Sequence, residues 1–349
     1  MFKLRPYFLA LIVFLLSLAS FSASSGDETP AYLFLSRLPS PADGRALSLT
    51  YGQVLDGPAP VYARPQDEAA GLPPVRLTGH GQVWVSLSEP EPVLVDGLEW
   101  YKINENEYLR ADRLKKASPS DFSGGLVPDG FPGRFAWVLF ATPLSSGPGL
   151  PVDENQPEVP ARSMVMVYEI KEAEGRIWCR IGPEAWVPHQ RLAMVTSRER
   201  PVEVGETERW LEVNLSEQTL AAYEGNRLIF ATMISSGDAR FPTIRGLFRI
   251  WAKVGLAKMS GGEDDGDPYL VEDVPWQMYF HRSYALHASY WHDFFGLPNS
   301  HGCVNLSPKD AAWLFTWTKP KSRGGKWQKA SPADPGTWVL VHEEPVAVD

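Results

Sequence analysis

The sequence predicts a mainly β protein, and three observations carry that expectation. Proline (31) and glycine (29) are plentiful among the 349 residues and tryptophan reaches 13, a mix that suits short strands joined by turns better than a helical bundle. Apolar residues alternate with polar ones, as Leu211, Val213 and Leu215 do with Glu212 and Asn214. A strand-like pattern also recurs at one fixed offset. At 44% hydrophobic and 21% charged, the chain has material for sizeable cores and length for two or three domains. Its formal net charge of −9 argues against a general nucleic-acid binder, which needs a basic footprint. Two cysteines are too few for a disulfide framework or a Cys-rich zinc module.

Residues 1–25 read as a signal peptide. Lys3 and Arg5 form a positive n-region, and Tyr7 to Phe21 is almost wholly apolar. Phe21-Ser22-Ala23 and the serines after it offer small residues for cleavage. The alternative is an uncleaved anchor, but the 15-residue run falls short of the roughly 20 residues that span a bilayer. The expectation is therefore export, with no transmembrane span after cleavage. No cysteine lies beside the cut to take a lipid.

A duplication is expected next. Trp100-Tyr101-Lys102-Ile103 and Trp178-Cys179-Arg180-Ile181 lie 78 residues apart. The same offset relates Tyr108-Leu109 to Trp186-Val187 and Arg113-Leu114 to Arg191-Leu192. Upstream, Val83, Val85 and Leu87 alternate in the first copy, as Met164, Met166 and Tyr168 do in the second. With Val61-Tyr62-Ala63-Arg64-Pro65 at its head, the pattern resembles bacterial SH3-like domains, which implies two small barrels over residues 45–118 and 130–198. By this register Cys179 takes the place of Tyr101 inside a strand, which makes it a structural residue.

The tail, residues 207–343, is a different β-rich unit. Glu224-Gly225-Asn226 turns the chain into a strand over Arg227 to Ile234, and Gly246 to Ile250 starts another. Glu263, Asp264, Asp265 and Asp267 crowd a Gly-rich loop that misses EF-hand spacing and reads as solvated. A helix is expected after Leu306: Ser307 caps it, Pro308 suits its first turn, and Asp310 stands at the capping-box position. Ala311, Leu314 and Phe315 give it an apolar face, and Pro320 ends it.

Just ahead of that helix the chain concentrates its chemistry. Four of seven histidines fall between positions 281 and 301, and Cys303 follows. Three readings compete. A histidine within reach of a thiol can generate a thiolate nucleophile and later deliver the proton to a leaving amine. Gly302 lets substrate approach, and N–H groups near the sulfur can hold an oxyanion. Alternatively, the histidines and the cysteine bind zinc, although neither His-Glu-x-x-His nor Cys-x-x-Cys is present. The third reading is structural, and it is adopted for His281 and His292.

Ser300-His301-Gly302-Cys303-Val304-Asn305 resembles the signature of the L,D-transpeptidase (YkuD-type) catalytic domain, with His287 standing 16 residues before Cys303. Pro242 to Ile250 resembles that family's Thr-Pro-x-Gly-x-Phe segment, with Pro and Thr reversed. The resemblance implies a transferase that works on peptidoglycan stem peptides as donor and acceptor in the periplasm or extracellular wall space, with no metal or organic cofactor. It implies Cys303 as nucleophile and His287 as base, with Gly302, His301 and Ser300 lining the oxyanion site and the N–H groups of Cys303 and Gly302 as its donors. Asn305, Trp291 and Tyr279 are the expected substrate-binding side chains. Asn305 stands where many members carry arginine, and Ala288 where many carry Gly or Ser. No side chain stands out to orient His287. The rival functions are a wall-binding protein without catalysis and a cysteine carboxypeptidase that only hydrolyses stems.

Overall fold

The computed structural model describes residues 49–131, 133–152, 158–322, 326–344 and 347–349. The signal peptide expected at residues 1–25 lies outside them. Among the described residues strands dominate, and no helix is long and apolar enough to cross a membrane.

The first unit contains β1 (Thr50–Val54), β2 (Pro60–Val61), α1 (Gln66–Ala69), β3 (Arg76–Leu77), β4 (Gln82–Leu87), β5 (Val93–Val95), β6 (Leu98–Asn104), β7 (Glu107–Arg110) and β8 (Leu114–Lys116). β1 pairs with β4 and β8, while β5, β6 and β7 form a separate three-stranded sheet. After the linker strand β9 (Gly125–Leu126), the second unit holds β10 (Arg134–Val138), β11 (Met164–Val167), β12 (Glu169–Ala173), β13 (Arg176–Gly182), β14 (Ala185–Pro188) and β15 (Leu192–Val195). Here β10 pairs with β11 and β15, and β12, β13 and β14 form the partner sheet. The two units share their cross-links. Ser88 N–H donates to the Lys102 carbonyl in the first, and Tyr168 to Arg180 in the second. Tyr62 pairs with Tyr108 as Ser145 does with Trp186, and Leu55 donates to Arg113 as Leu139 does to Arg191. Each unit encloses its own apolar core. The SH3-like resemblance implied barrels, but no closed barrel forms among the described residues: the strands of the first unit fall into three separate sheets and those of the second into two. Cys179 is buried in the second core, and burial pushes its thiol up to about 12.

The third unit contains β16 (Arg209–Asn214), β17 (Thr219–Glu224), β18 (Arg227–Met233), β19 (Gly246–Arg249), β20 (Ala252–Gly261), β21 (Tyr269–His281), β22 (Tyr284–Ala288), β23 (Val304–Leu306), α2 (Pro308–Trp317), β24 (Gln328–Lys329) and β25 (Trp338–His342). One sheet runs β19-β25-β16-β17-β18-β9, so the linker strand closes its edge. The other runs β23-β22-β21-β4-β1-β8, with β20 branching off β21 and β24 pairing β20, so strands of the first unit continue the sheet of the third. Gly81 turns into β4 at φ +74°, and a Cβ there would lie 1.8 Å from the Pro268 carbonyl oxygen. Only glycine allows that approach.

The alternation in β16 led to a solvent-facing Glu212. Instead Glu212 is buried, because the second unit covers that face, and it accepts from the Tyr223 hydroxyl and His342 Nε2. Asp310 departs from its expectation too. Its N–H donates to Ser307 Oγ, the expected cap, but its carboxylate forms no capping box. It turns inward to the Thr232 hydroxyl, the Gly124 N–H and Ser123, and burial raises it to about 6 against those hydrogen bonds. The linker between the two units is thereby tied to the helix that follows Cys303.

β23 has three residues, too few for its ladder alone to fix it. It is held by the core: Leu286, Ala288, Val304, Leu306, Ala311 and Leu314 are fully buried together. Burying each leucine or valine there stabilises the fold by about 1.5–3 kcal/mol. At the other end of α2, buried Lys253 donates from Nζ to the Phe315 carbonyl and to the Thr318 carbonyl and hydroxyl, at 3.0 and 3.2 Å for Thr318. A cation at a helix C-terminus satisfies carbonyls that the helix cannot, although burial lowers this ammonium to about 7. Lys253→Ala orphans those carbonyls and is expected to lower unfolding free energy by about 2 kcal/mol, read from urea denaturation.

Candidate active site

β22 and β23 run parallel, with Leu286 opposite Val304, His287 opposite Asn305 and Ala288 opposite Leu306. The register places the imidazole two residues along from the level of Cys303, so both side chains point to the same face of the sheet. Both side chains line one cleft of about 140 Å³, together with Ser300, His301, Asn305 and Trp291. The sulfur is partly exposed and therefore open to a ligand.

His287 is buried at 3% exposure, and its Nδ1 lies 3.0 Å from the Ala288 carbonyl oxygen. A carbonyl only accepts, so Nδ1 carries the proton and Nε2 keeps a lone pair. The orienting group is thus the backbone of the next residue, which no reading of side chains could find. Burial lowers His287 to about 4, against the pull of that carbonyl. Packing around the sulfur pushes the Cys303 thiol up to about 11, and the thiol donates to the Ser283 carbonyl at 3.7 Å. Both shifts favour the uncharged forms, so at neutral pH the pair rests as thiol and imidazole rather than as an ion pair.

Gly302 sits at φ +109°, and a Cβ there would meet the Tyr284 ring at 2.8 Å, so the residue must be glycine. Its N–H was expected as an oxyanion donor. Instead that N–H donates to Ser300 Oγ at 3.1 Å, and its carbonyl accepts from Thr243 Oγ1 at 2.9 Å. Ser300 Oγ donates in turn to the Cys303 carbonyl. These contacts clamp the loop that carries the cysteine, and they leave the Cys303 N–H as the donor of the expected pair.

His301 lies between the rings of Phe241 and Tyr269, with centroids at 4.4 and 4.8 Å, and its Nε2 is 3.4 Å from Asp267. Asp267 had been assigned to a solvated acidic loop. It forms part of the cleft wall and also pairs with Arg240 at 3.0 Å. Trp291 stacks on His287 with centroids 5.8 Å apart. Asn305 is buried, and its Nδ2 lies 2.8 Å from His292 Nε2 while Oδ1 finds no partner among the described residues. His292, read as merely structural, therefore fixes the rotamer of a cleft residue; burial lowers it to about 4. Tyr279 is not among the side chains lining the cleft. Its hydroxyl donates to Gln277 at 2.5 Å, and burial, helped by the charge a Cys303 thiolate would carry, raises it to about 12. His281 packs beside Phe248 outside the cleft. The first unit also reaches the site, through Gln82 and Trp84. The sequence held no signal for this, because the contact is between units far apart in the chain. Among the described residues no group of three His, Cys, Asp or Glu could hold a metal ion.

His287 on β22 and Cys303 in the loop just before β23 thus line one cleft in a β-rich unit. Residues 208–341 match the family model of the YkuD L,D-transpeptidase catalytic domain, which is less than half of the chain. Among curated proteins, the putative L,D-transpeptidase YciB of Bacillus subtilis (strain 168) is 30% identical over 122 residues, covering 30% of this chain and 59% of that protein. The chain thus spans about three-fifths of the length of this relative. Among solved structures, the catalytic domain of the Enterococcus faecium L,D-transpeptidase is 29% identical, covering 39% of this chain and 98% of that one, with a TM-score of 0.32. An L,D-transpeptidase from Mycobacterium smegmatis is 20% identical, covering 66% and 89%, also with a TM-score of 0.32. Residues 208–341 are thus similar to L,D-transpeptidase catalytic domains.

The resting state sets a pH profile. With the thiol up at about 11, the thiolate fraction rises tenfold per pH unit from neutrality upward. Iodoacetamide alkylation of Cys303, followed by intact mass, is expected to keep accelerating through pH 7 to 10. A rate that levels off below pH 7 would show a preformed thiolate–imidazolium pair.

Proposed function

We propose that the protein is a peptidoglycan L,D-transpeptidase acting through a cysteine thioester. The observation that carries this reading is the placement of His287 and Cys303 in one cleft, with the Nδ1 proton engaged by Ala288 so that Nε2 serves as base. The donor is the peptide stem of peptidoglycan. His287 Nε2 takes the thiol proton as Cys303 Sγ attacks the carbonyl of the third stem residue. The Cys303 N–H holds the developing oxyanion. Collapse of the tetrahedral adduct breaks the bond to the fourth residue, D-alanine, whose amine leaves with the proton from His287. The side-chain amine of a second stem then attacks the thioester, passes its proton to His287 and releases the sulfur, which leaves a 3→3 cross-link. Water in place of that amine gives the hydrolysed tripeptide.

The neutral pair suits this sequence. A base held near pKa 4 is a weak acceptor in the empty cleft, so proton transfer is coupled to substrate arrival rather than completed before it. A thiol kept protonated is also a poor target for oxidants, which matters for a chain we place outside the cytoplasmic membrane once residues 1–25 are cleaved. We assign the two duplicated units an SH3-like role in holding or spacing the enzyme at the wall.

Incubation with a disaccharide-tetrapeptide, followed by intact mass, is expected to give an adduct on Cys303 that lacks D-alanine, and to give none in Cys303→Ala. His287→Ala is expected to slow adduct formation about 100- to 1,000-fold. A cross-linked dimer as product supports the transferase, and tripeptide alone makes the protein a hydrolase. Absence of both adduct and product, in protein with a wild-type melting profile, refutes the reading.

A further inference from the structure

We propose that the first unit is a working part of the substrate cleft, with Trp84 as a donor to the bound stem peptide and Gln82 as a second contact. The inference rests on the transpeptidase reading for the identity of the peptide.

The first unit is built into the third. β4 pairs in parallel with β21 over Gln82–Tyr269, Val83–Leu270 and Trp84–Val271. The Gln82 N–H donates to the Pro268 carbonyl at 2.9 Å, across the gap that Gly81 keeps open. Arg76 reaches Glu272 at 3.4 Å, Ser86 Oγ donates to the Asp273 carboxylate, and the Tyr51 hydroxyl donates to the Asp273 carbonyl at 3.1 Å. Tyr51 stacks on Tyr290 with centroids 3.3 Å apart. These contacts span strands, side chains and an aromatic stack, so β4 holds a fixed position at the cleft.

An aromatic path then leads to the base. The Trp84 ring meets the edge of Tyr290 at 6.1 Å, Tyr290 meets Trp291 at 4.9 Å, and Trp291 stacks on His287 at 5.8 Å. Trp84 lines the cleft while only 9% exposed, and its Nε1–H has no acceptor among the described residues. An orphaned buried donor costs about 1–3 kcal/mol, and an acceptor on a bound ligand would relieve that cost. One further cleft residue is in the same state: Asn305, whose Oδ1 has no partner among the described residues. A donor and an acceptor on two sides of one thiol match the alternating carbonyl and N–H groups of a peptide main chain. Trp84 Nε1–H is the natural partner for one of its carbonyl oxygens. Gln82 is exposed at the start of β4 and offers an amide that both donates and accepts.

The test separates binding from chemistry. In full-length Cys303→Ala protein, affinity for the stem tetrapeptide is measured by calorimetry, then again after adding Trp84→Phe, which keeps the ring and removes the N–H. A weakening of about 5- to 10-fold is expected, with about 3-fold for Gln82→Ala. Unfolding midpoints are recorded alongside. Should Trp84→Phe disturb the fold, the exposed Gln82→Ala carries the test alone. In the thiol-bearing protein, the same substitutions should raise the tetrapeptide KM for adduct formation by similar factors and leave iodoacetamide alkylation of Cys303 unchanged. Peptide affinity equal to that of the parent in both variants overturns the inference while the transpeptidase reading stands. Weakened binding in protein that forms no thioester keeps the inference and refutes the chemistry. No peptide binding by Cys303→Ala overturns both.

Discussion

The site depends on one parallel strand pair. β22 and β23 are short, yet their register sets His287 two residues along from Cys303 on the same face, and the core beneath them holds that register. A slip of one residue would turn each side chain to the opposite face of the sheet and remove the imidazole from the cleft. The surrounding structure reads as protection against that slip. Asp310 ties α2 to the linker after the first unit, Lys253 closes the far end of α2, and the Ser300–Gly302–Thr243 contacts clamp the loop before the cysteine.

Electrostatics and packing act on the site in one direction. Burial disfavours charge on both His287 and Cys303, and on the neighbouring His292. Burial of this kind strengthens each hydrogen bond made beside the thiol and imidazole once a ligand excludes water. Trp84 Nε1 and Asn305 Oδ1, without partners among the described residues, belong to side chains that line the cleft; a buried polar group of this kind is destabilising until something pairs with it.

Much of this was legible in the sequence, and the parts that were not share a cause. Short-range chemistry reads well from residues: the Ser307 cap, Pro308 in the first turn, and the strand starting at Gly246 all follow from local preference. So did the pairing of His287 with Cys303, because a motif with fixed spacing compresses a three-dimensional arrangement into one dimension. What escaped were contacts made by the backbone or between distant units. Ala288 orients the base through a carbonyl, which any residue would supply. Glu212 looked solvent-facing because its strand alternates, but a second layer covers it. Asp310 satisfied a local pattern and was recruited to a partner 186 residues away. Gly302 was expected to donate to substrate, and a side chain two residues before it took the N–H first.

The continuity of β4 with β21 has a consequence for where this protein can be divided. Without the first unit, the stretch Tyr269–Val271 of β21 would keep β20 on one side but lose its partner on the other, exposing an edge of unpaired N–H and C=O groups beside Leu270 and Val271. Such an edge is a template for self-association. The third unit therefore does not end where its own sequence does: the residues that cover this edge of its sheet belong to a segment more than a hundred positions upstream.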